Sequence, residues 1–338
     1  MFRIDGHVHF PGDHPEAVEV IEDLDLLVLN IAIGKESYEW TRRIIHLYRD
    51  LSRSHPGRFA WCTAFSPYGI DKPGYADRVI ARLDQDIEDG AVACKIWKNV
   101  GMEIRDAAGQ YVLPDHVAYH PIYRHLEQRG LPLLAHTAEP LACWLPLSNP
   151  SPHQGYYSRN PQWHMYGRTG FPSHETILAA RDRVMEQYPE LRVIGAHLGS
   201  MEHDLGAISE RLDRYPNFAI DTSARTADLG MHDPEKVREF FIKYSDRIIY
   251  GTDVAQHDIF YSEADPGERE RRLLAYRKCF ETDTAFFESD EILEIKGCRT
   301  RGIRLPSDVL QQLYVDNALR WYPVLEKSLG CQSAASVS

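Results

Sequence analysis

With 338 residues, 43% of them hydrophobic and 26% charged, the chain has material for one large barrel or for two average domains. Its formal net charge of -12 argues against a nucleic-acid partner, and no stretch approaches the ~18 uninterrupted apolar residues of a membrane span. The start carries no basic segment followed by an apolar run, and the six cysteines include no C-x-x-C pair, so a cytoplasmic protein with free thiols is expected.

The first predicted strand, 3–10, reads RIDGHVHF. Positions i and i+2 of a strand face the same way, so His7 and His9 project together, flanked by Ile4, Val8 and Phe10. Taken alone, this stretch fits either two packed, hydrogen-bonded histidines or a pair of metal ligands. Further apolar runs follow at 26–33, 59–65, 91–97, 131–137, 191–198, 218–223 and 247–253, several of them apolar on both faces. Helical patterns lie between them. Over 77–89, Val79, Ile80, Leu83 and Ile87 share a face and Gly90 stops the helix. "EQRG" places another helix–glycine junction before the fifth strand. Over 174–188, Ile177, Ala180, Val184 and Tyr188 form a stripe, with Ser173 as N-cap.

Eight β/α alternations predict an α/β fold, a closed (β/α)8 TIM barrel. The competing doubly wound sheet lacks its Gly-rich phosphate loop after strand one. Residues 139–172 form a long, lid-like loop after strand five, whose Tyr156, Tyr157, Trp163, Tyr166 and Phe171 argue for order. Exposed aromatics there would suit a homodimer contact. A helix over 307–320 is expected to pack outside the barrel as a C-terminal extension. The barrel domain is taken as 1–325 and a mobile tail as 326–338.

In such a barrel the site lies at the C-terminal strand ends. Strand one ends in His7 and His9, strand five in His136 ("LLAHTAE"), strand six in His197 ("VIGAHLGS") and strand eight in Asp253 ("IIYGTDVA"). Each alone is weak evidence, because a strand-end histidine is often a satisfied core residue. Five together point to a metal site. Neutral imidazoles and a carboxylate suit Zn²⁺ and also accept Mn²⁺ or Fe²⁺.

This ordered set resembles the amidohydrolase superfamily, and most closely its amidohydrolase-related branch, which includes aminocarboxymuconate-semialdehyde decarboxylase. By that resemblance His7, His9, His136 and Asp253 are ligands of one divalent metal per chain. Asp253 doubles as the base that takes a proton from water, and His197 is a further ligand or orients that water. Lys95 lies on strand four, where binuclear members carry a bridging carboxylated lysine. A lysine amine in solvent and a substrate contact are the other readings, and Lys98 competes for the position.

Loop residues complete the candidates. Arg225 in "DTSART" follows strand seven and suits a substrate carboxylate, or else an ion pair with Asp221 or Asp228. Trp163, His164 and Arg168 form a lid wall over the substrate or a subunit interface. Glu139 is a candidate to orient an imidazole. His153, His174, His203, His232 and His257 read as surface residues. The sequence therefore predicts a metal-dependent hydrolase acting on an ester, lactone or amide of a small carboxylated compound. Non-oxidative decarboxylation of an aromatic or unsaturated acid is the second reading, and a non-catalytic ligand-binding barrel the third.

Overall fold

The computed structural model describes residues 2–10, 15–35, 37–255 and 266–329; His257 and the tail from 330 lie outside them. All eight predicted strands are present, mostly shorter than their apolar runs: β1 Arg3–His9, β2 Leu26–Ile31, β3 Phe59–Ala64, β4 Cys94–Ile96, β5 Leu133–Ala135, β6 Val193–Gly195, β7 Phe218–Asp221 and β8 Ile248–Ile249. They pair in parallel and in sequence from β1 round to β8, as a (β/α)8 barrel requires.

β8 is too short to pair with β1 as a ladder. The seam closes through β9, Val254–Ala255, which lies parallel to Val8 and His9. Single hydrogen bonds stitch the gap: Gly6 N donates to Tyr250 O (2.9 Å) and Asp253 N to His7 O (2.8 Å). Gly251 permits this approach, because a Cβ there would lie 2.9 Å from the His7 Cβ.

Alternation along the strands separates two apolar clusters. Leu27, Leu29, Ala60, Cys62, Leu134, Ile194, Ala219 and Ile249 belong to one, which fills the barrel. Leu26, Val28, Phe59, Leu133 and Val193 face the opposite way, toward the helices. The predicted caps hold: Ser173 Oγ accepts from Thr176 N (3.1 Å) at the start of the helix His174–Gln187, and Gly130 ends the helix His120–Arg129 at φ 64°.

The C-terminal segment differs from its expected place. Val309, Leu313 and Tyr314 do pack in the outer cluster. Beyond a π-turn at Gln312–Asp316, however, Ala318, Trp321, Tyr322 and Leu325 join the barrel-filling cluster with Ile4, Leu27 and Ile249. The segment from Ala318 to Leu325 is therefore the floor of the barrel rather than an outer decoration. The long loop 139–172 is tied to itself, with Met165 N and Tyr166 N both donating to Cys143 O (2.9 and 3.2 Å). Of Tyr156, Tyr157, Trp163, Tyr166 and Phe171 only Tyr166 is exposed, so the aromatic patch expected to suit a homodimer contact is not laid open as a whole. Among the described residues no helix is long and apolar enough to cross a membrane.

Tyr322 is fully buried and its hydroxyl has no hydrogen-bond partner among the described residues. Tyr322→Ala should therefore cost about 3–5 kcal/mol in denaturant unfolding, the usual penalty for an emptied aromatic site. Tyr322→Phe should be neutral or stabilising, because it removes only an unsatisfied polar group.

Candidate metal centre

His7 and His9 lie on β1, His136 directly after β5, His197 two residues after β6 and Asp253 just before β9. The donor atoms of His7, His9 and Asp253 come within 4.8 Å of one another. Asp253 Oδ1 is 3.3 Å from His9 Nε2 and 3.7 Å from His7 Nε2. The His197 ring joins this group to His136, with centroids 5.0 Å from His7 and 4.3 Å from His136. All five strand-end residues thus form one contiguous cluster.

Hydrogen bonds fix which nitrogens face inward. His7 Nδ1 lies 2.7 Å from Asp221 Oδ2, and a carboxylate can only accept, so the proton sits on Nδ1 and the Nε2 lone pair points into the cluster. His197 Nδ1 donates to Ser223 O (2.8 Å), which likewise leaves its Nε2 bare. That bare nitrogen is 3.2 Å from His136 Nδ1, and His136 Nε2 is buried with no hydrogen-bond partner among the described residues. If His136 is protonated on Nε2, two lone pairs face each other. If it is protonated on Nδ1, a buried nitrogen is orphaned on the other side. A divalent cation shared by the bare nitrogens removes the first conflict, and two imidazoles on one tetrahedral zinc stand about 3.3 Å apart. The residues present fit the ion.

Burial holds His7, His136 and His197 below the ordinary imidazole range, which keeps them neutral and able to ligate. Burial alone would raise the Asp253 carboxyl. The imidazoles of His197, His9 and His7 outweigh it and hold the group well below the usual carboxylate range. The Asp253 side chain is 28% exposed, against 1% for His7 and 9% for His9, so it is the member most open to an incoming molecule.

The backbone is held in sparsely populated conformations here. His197, Leu198, Gly199 and Ser200 have φ of 59°, 56°, 63° and 60°, and Asp253 has φ 57°. Left-handed backbone costs about 1–2 kcal/mol per non-glycine residue. Asp221 Oδ1 secures the turn by accepting from His197 N at 2.7 Å, and Gly195 permits its close return, since a Cβ there would lie 2.9 Å from the Gly199 Cα.

The other sequence candidates separate. Lys95 is buried with Nζ 3.3 Å from His7 Nε2, so its amine enters the cluster rather than solvent, and burial lowers its pKa to about 8. Lys98 is buried too, pairs closely with Glu139 and donates to Tyr156 Oη (3.1 Å). Glu139 therefore serves Lys98 and Tyr157 rather than an imidazole, and Asp221 takes the orienting part. Trp163 packs over Lys98 Nζ (4.5 Å) and edge-on to Trp97, as a wall. His164 Nε2 contacts Leu145 O (3.0 Å), within its own loop. Arg168 is exposed and donates to Pro161 O (2.7 Å) and Gln162 O (3.4 Å), both within its own loop. Arg225 is buried and pairs with neither Asp221 nor Asp228; its nearest carboxylate is Glu202, 3.6 Å from Nε. His153 and His174 are buried instead of superficial, whereas His203 is exposed and His232 half-buried.

Asp5, Asp221 and Ser223 escaped the sequence reading as site-builders. Asp5 accepts from Thr252 N (3.0 Å), Thr252 Oγ1 (2.7 Å) and Tyr276 Oη (3.2 Å), which anchors the residue before Asp253. "DTS" after strand seven resembles an ordinary Asx turn. Only its pairing across the barrel marks it.

Because Asp221 sets the His7 tautomer, Asp221→Asn should weaken divalent-metal affinity about 10- to 100-fold, the usual loss for an orienting partner, in a chelator-competition titration. Affinity within a factor of two of the unaltered protein would show that His7 needs no such support.

A family model described as amidohydrolase matches residues 4–324. No protein of curated function is detectably similar in sequence. Among solved structures, a 2,6-dihydroxybenzoate decarboxylase complexed with 2,6-dihydroxybenzoate superposes with a TM-score of 0.56 at 14% identity, over 96% of this chain and 99% of the other. A 4-oxalomesaconate hydratase from Rhodopseudomonas palustris gives 0.54 at 14% identity, over 99% and 100%. An amidohydrolase homologue from Staphylococcus aureus gives 0.53 at 15% identity, over 96% and 100%. At such identities the structural likenesses speak for the fold. The match along almost the whole sequence speaks for the family: the chain belongs to the amidohydrolases.

Proposed function

We propose that this protein is a metal-dependent hydrolase that cleaves an ester, lactone or amide bond of a small carboxylated compound. The observation that carries the reading is the inward-facing nitrogen pair of His136 and His197 beside a carboxylate, Asp253, that is open to the cleft. His7, His9, His136 and Asp253 would hold one divalent ion, with zinc the best match to the donor set and manganese or iron(II) also suited. A bound divalent ion supplies Lewis acidity and lowers the pKa of water toward about 7.

The chain's own groups do the rest. Asp253, held ionised, takes the proton as the oxygen of water bonds to the acyl carbon, and returns it to the departing oxygen or nitrogen as the old bond breaks. His197, fixed through Nδ1 by Ser223 O, presents Nε2 beside His136 Nδ1, where it would be a further ligand of the same ion and flank that water. Arg225, only loosely paired within the protein, offers buried positive charge to a substrate carboxylate in a protein that is otherwise strongly acidic. A second reading, non-oxidative decarboxylation of an aromatic or unsaturated acid, draws support from the walls around Lys98, where Trp163 and Tyr156 lie 4.5 and 5.3 Å from Nζ and suit a flat acid.

The test is a screen of zinc-loaded protein against lactones, esters, amides and aromatic carboxylates that scores acid release separately from CO₂. Acid release supports hydrolysis, and CO₂ alone supports the second reading. With a substrate in hand, Asp253→Asn should lower turnover by at least ~10² while much of the metal stays bound. Near-normal turnover of the metal-replete variant would move the base elsewhere. Arg225→Met should lower kcat/KM about 10- to 150-fold on the carboxylated substrate and far less on its neutral amide analogue. Equal losses on both would make Arg225 a support for its loop.

A further inference from the structure

A second cluster of ligand-type side chains lies at the same end of the barrel. His153 precedes the helix Gln154–Arg159 in the β5 loop, Glu202 lies in the loop after β6, and Asp228 sits in the turn Thr226–Leu229 after β7. Their donor atoms come within 4.8 Å of one another, and all three residues are buried. Among the described residues, no hydrogen bond or ion pair joins any of them to His7, His9, His136, His197 or Asp253.

The cluster is incompletely satisfied by protein. His153 Nε2 meets Asp228 Oδ1 at 2.8 Å, but Asp228 Oδ2 and Glu202 Oε2 are buried with no hydrogen-bond partner among the described residues. Glu202 is 3% exposed and Asp228 6%, so water cannot freely solvate either carboxylate. The neighbouring cation, Arg225, has its Nε 3.6 Å from Glu202 Oε2, beyond hydrogen-bond length. Two carboxylates thus face one loosely paired guanidinium, the His153 imidazole, and the His203 imidazole whose Nδ1 stands 3.9 Å from Glu202 Oε1. Burying unpaired carboxylate oxygens is costly unless a cation or a donor meets them.

We infer that His153, Glu202 and Asp228 form a second divalent-cation site. One borderline imidazole and two hard carboxylates together suit zinc, manganese or iron(II), and three protein ligands leave positions open for water. Because the three residues come from three separate loops, an ion there would also fasten the long β5 loop onto the loops after β6 and β7, and so shape the wall of the cleft.

The test is zinc equilibrium dialysis of the full chain after chelator treatment, read by elemental analysis. His7→Ala/His9→Ala should retain about one zinc per chain, and adding His153→Gln or Asp228→Asn should remove it. In the unaltered protein, His153→Gln and Asp228→Asn should each lower the count by about one. A count that neither change lowers in the unaltered protein overturns the assignment. So does a second zinc that is lost with Lys95→Met, which would make one binuclear centre of the first cluster. Unchanged zinc in His7→Ala/His9→Ala, combined with a loss in His153→Gln, would count against the first metal centre while leaving this one standing.

Discussion

The site depends on one buried carboxylate. Asp221 ends β7, accepts from the His7 ring on β1 and from the His197 amide after β6, and takes a close hydrogen bond from Ser223 Oγ. Burial alone would raise its pKa, but the His7 and His197 rings and the Ser223 bond hold it well below the carboxylate range. A charge so placed fixes a ring tautomer, locks a left-handed turn and ties three strands together. His7 presents its Nε2 lone pair inward only while that carboxylate stays ionised behind its ring.

A second constraint is electrostatic. The chain is acidic overall, yet Lys95, Lys98 and Arg225 are all buried near the strand ends. Burial pulls Lys98 down to about 7 and Lys95 to about 8, so both amines sit near their titration points close to neutral pH. Three buried cations thus stand among the buried carboxylates Asp5, Glu139, Glu202, Asp221 and Asp228, so the charge at the strand ends is mixed rather than uniformly acidic.

The long β5 loop links these features. Glu139 at its root pairs with Lys98, Tyr157 Oη donates to the same carboxylate at 3.2 Å, and His153 reaches Asp228 on the loop after β7. Breaking a tie of this kind strands a buried charge, which makes each of these contacts costly to lose. The barrel supplies the platform, and the loop shapes its mouth.

Much was legible in the sequence because its signals are local. Apolar runs bounded by glycine and caps located all eight strands, and H-x-H on a strand puts two rings on one face whatever surrounds them. Barrel geometry then collects strand ends, so the sequence alone groups His136, His197 and Asp253 with His7 and His9. Long-range pairing lay beyond that reach. Nothing local says that Lys95 turns inward to within 3.3 Å of His7 Nε2, that Arg168 spends its donors on its own loop, or that Tyr322 returns to plug the barrel floor. In sequence Asp221 and Asp228 stand only as possible partners of Arg225, and nothing local singles out Glu202. Their partners lie far along the chain, and only closure of the barrel brings those charges together and shuts out the water that would otherwise satisfy them.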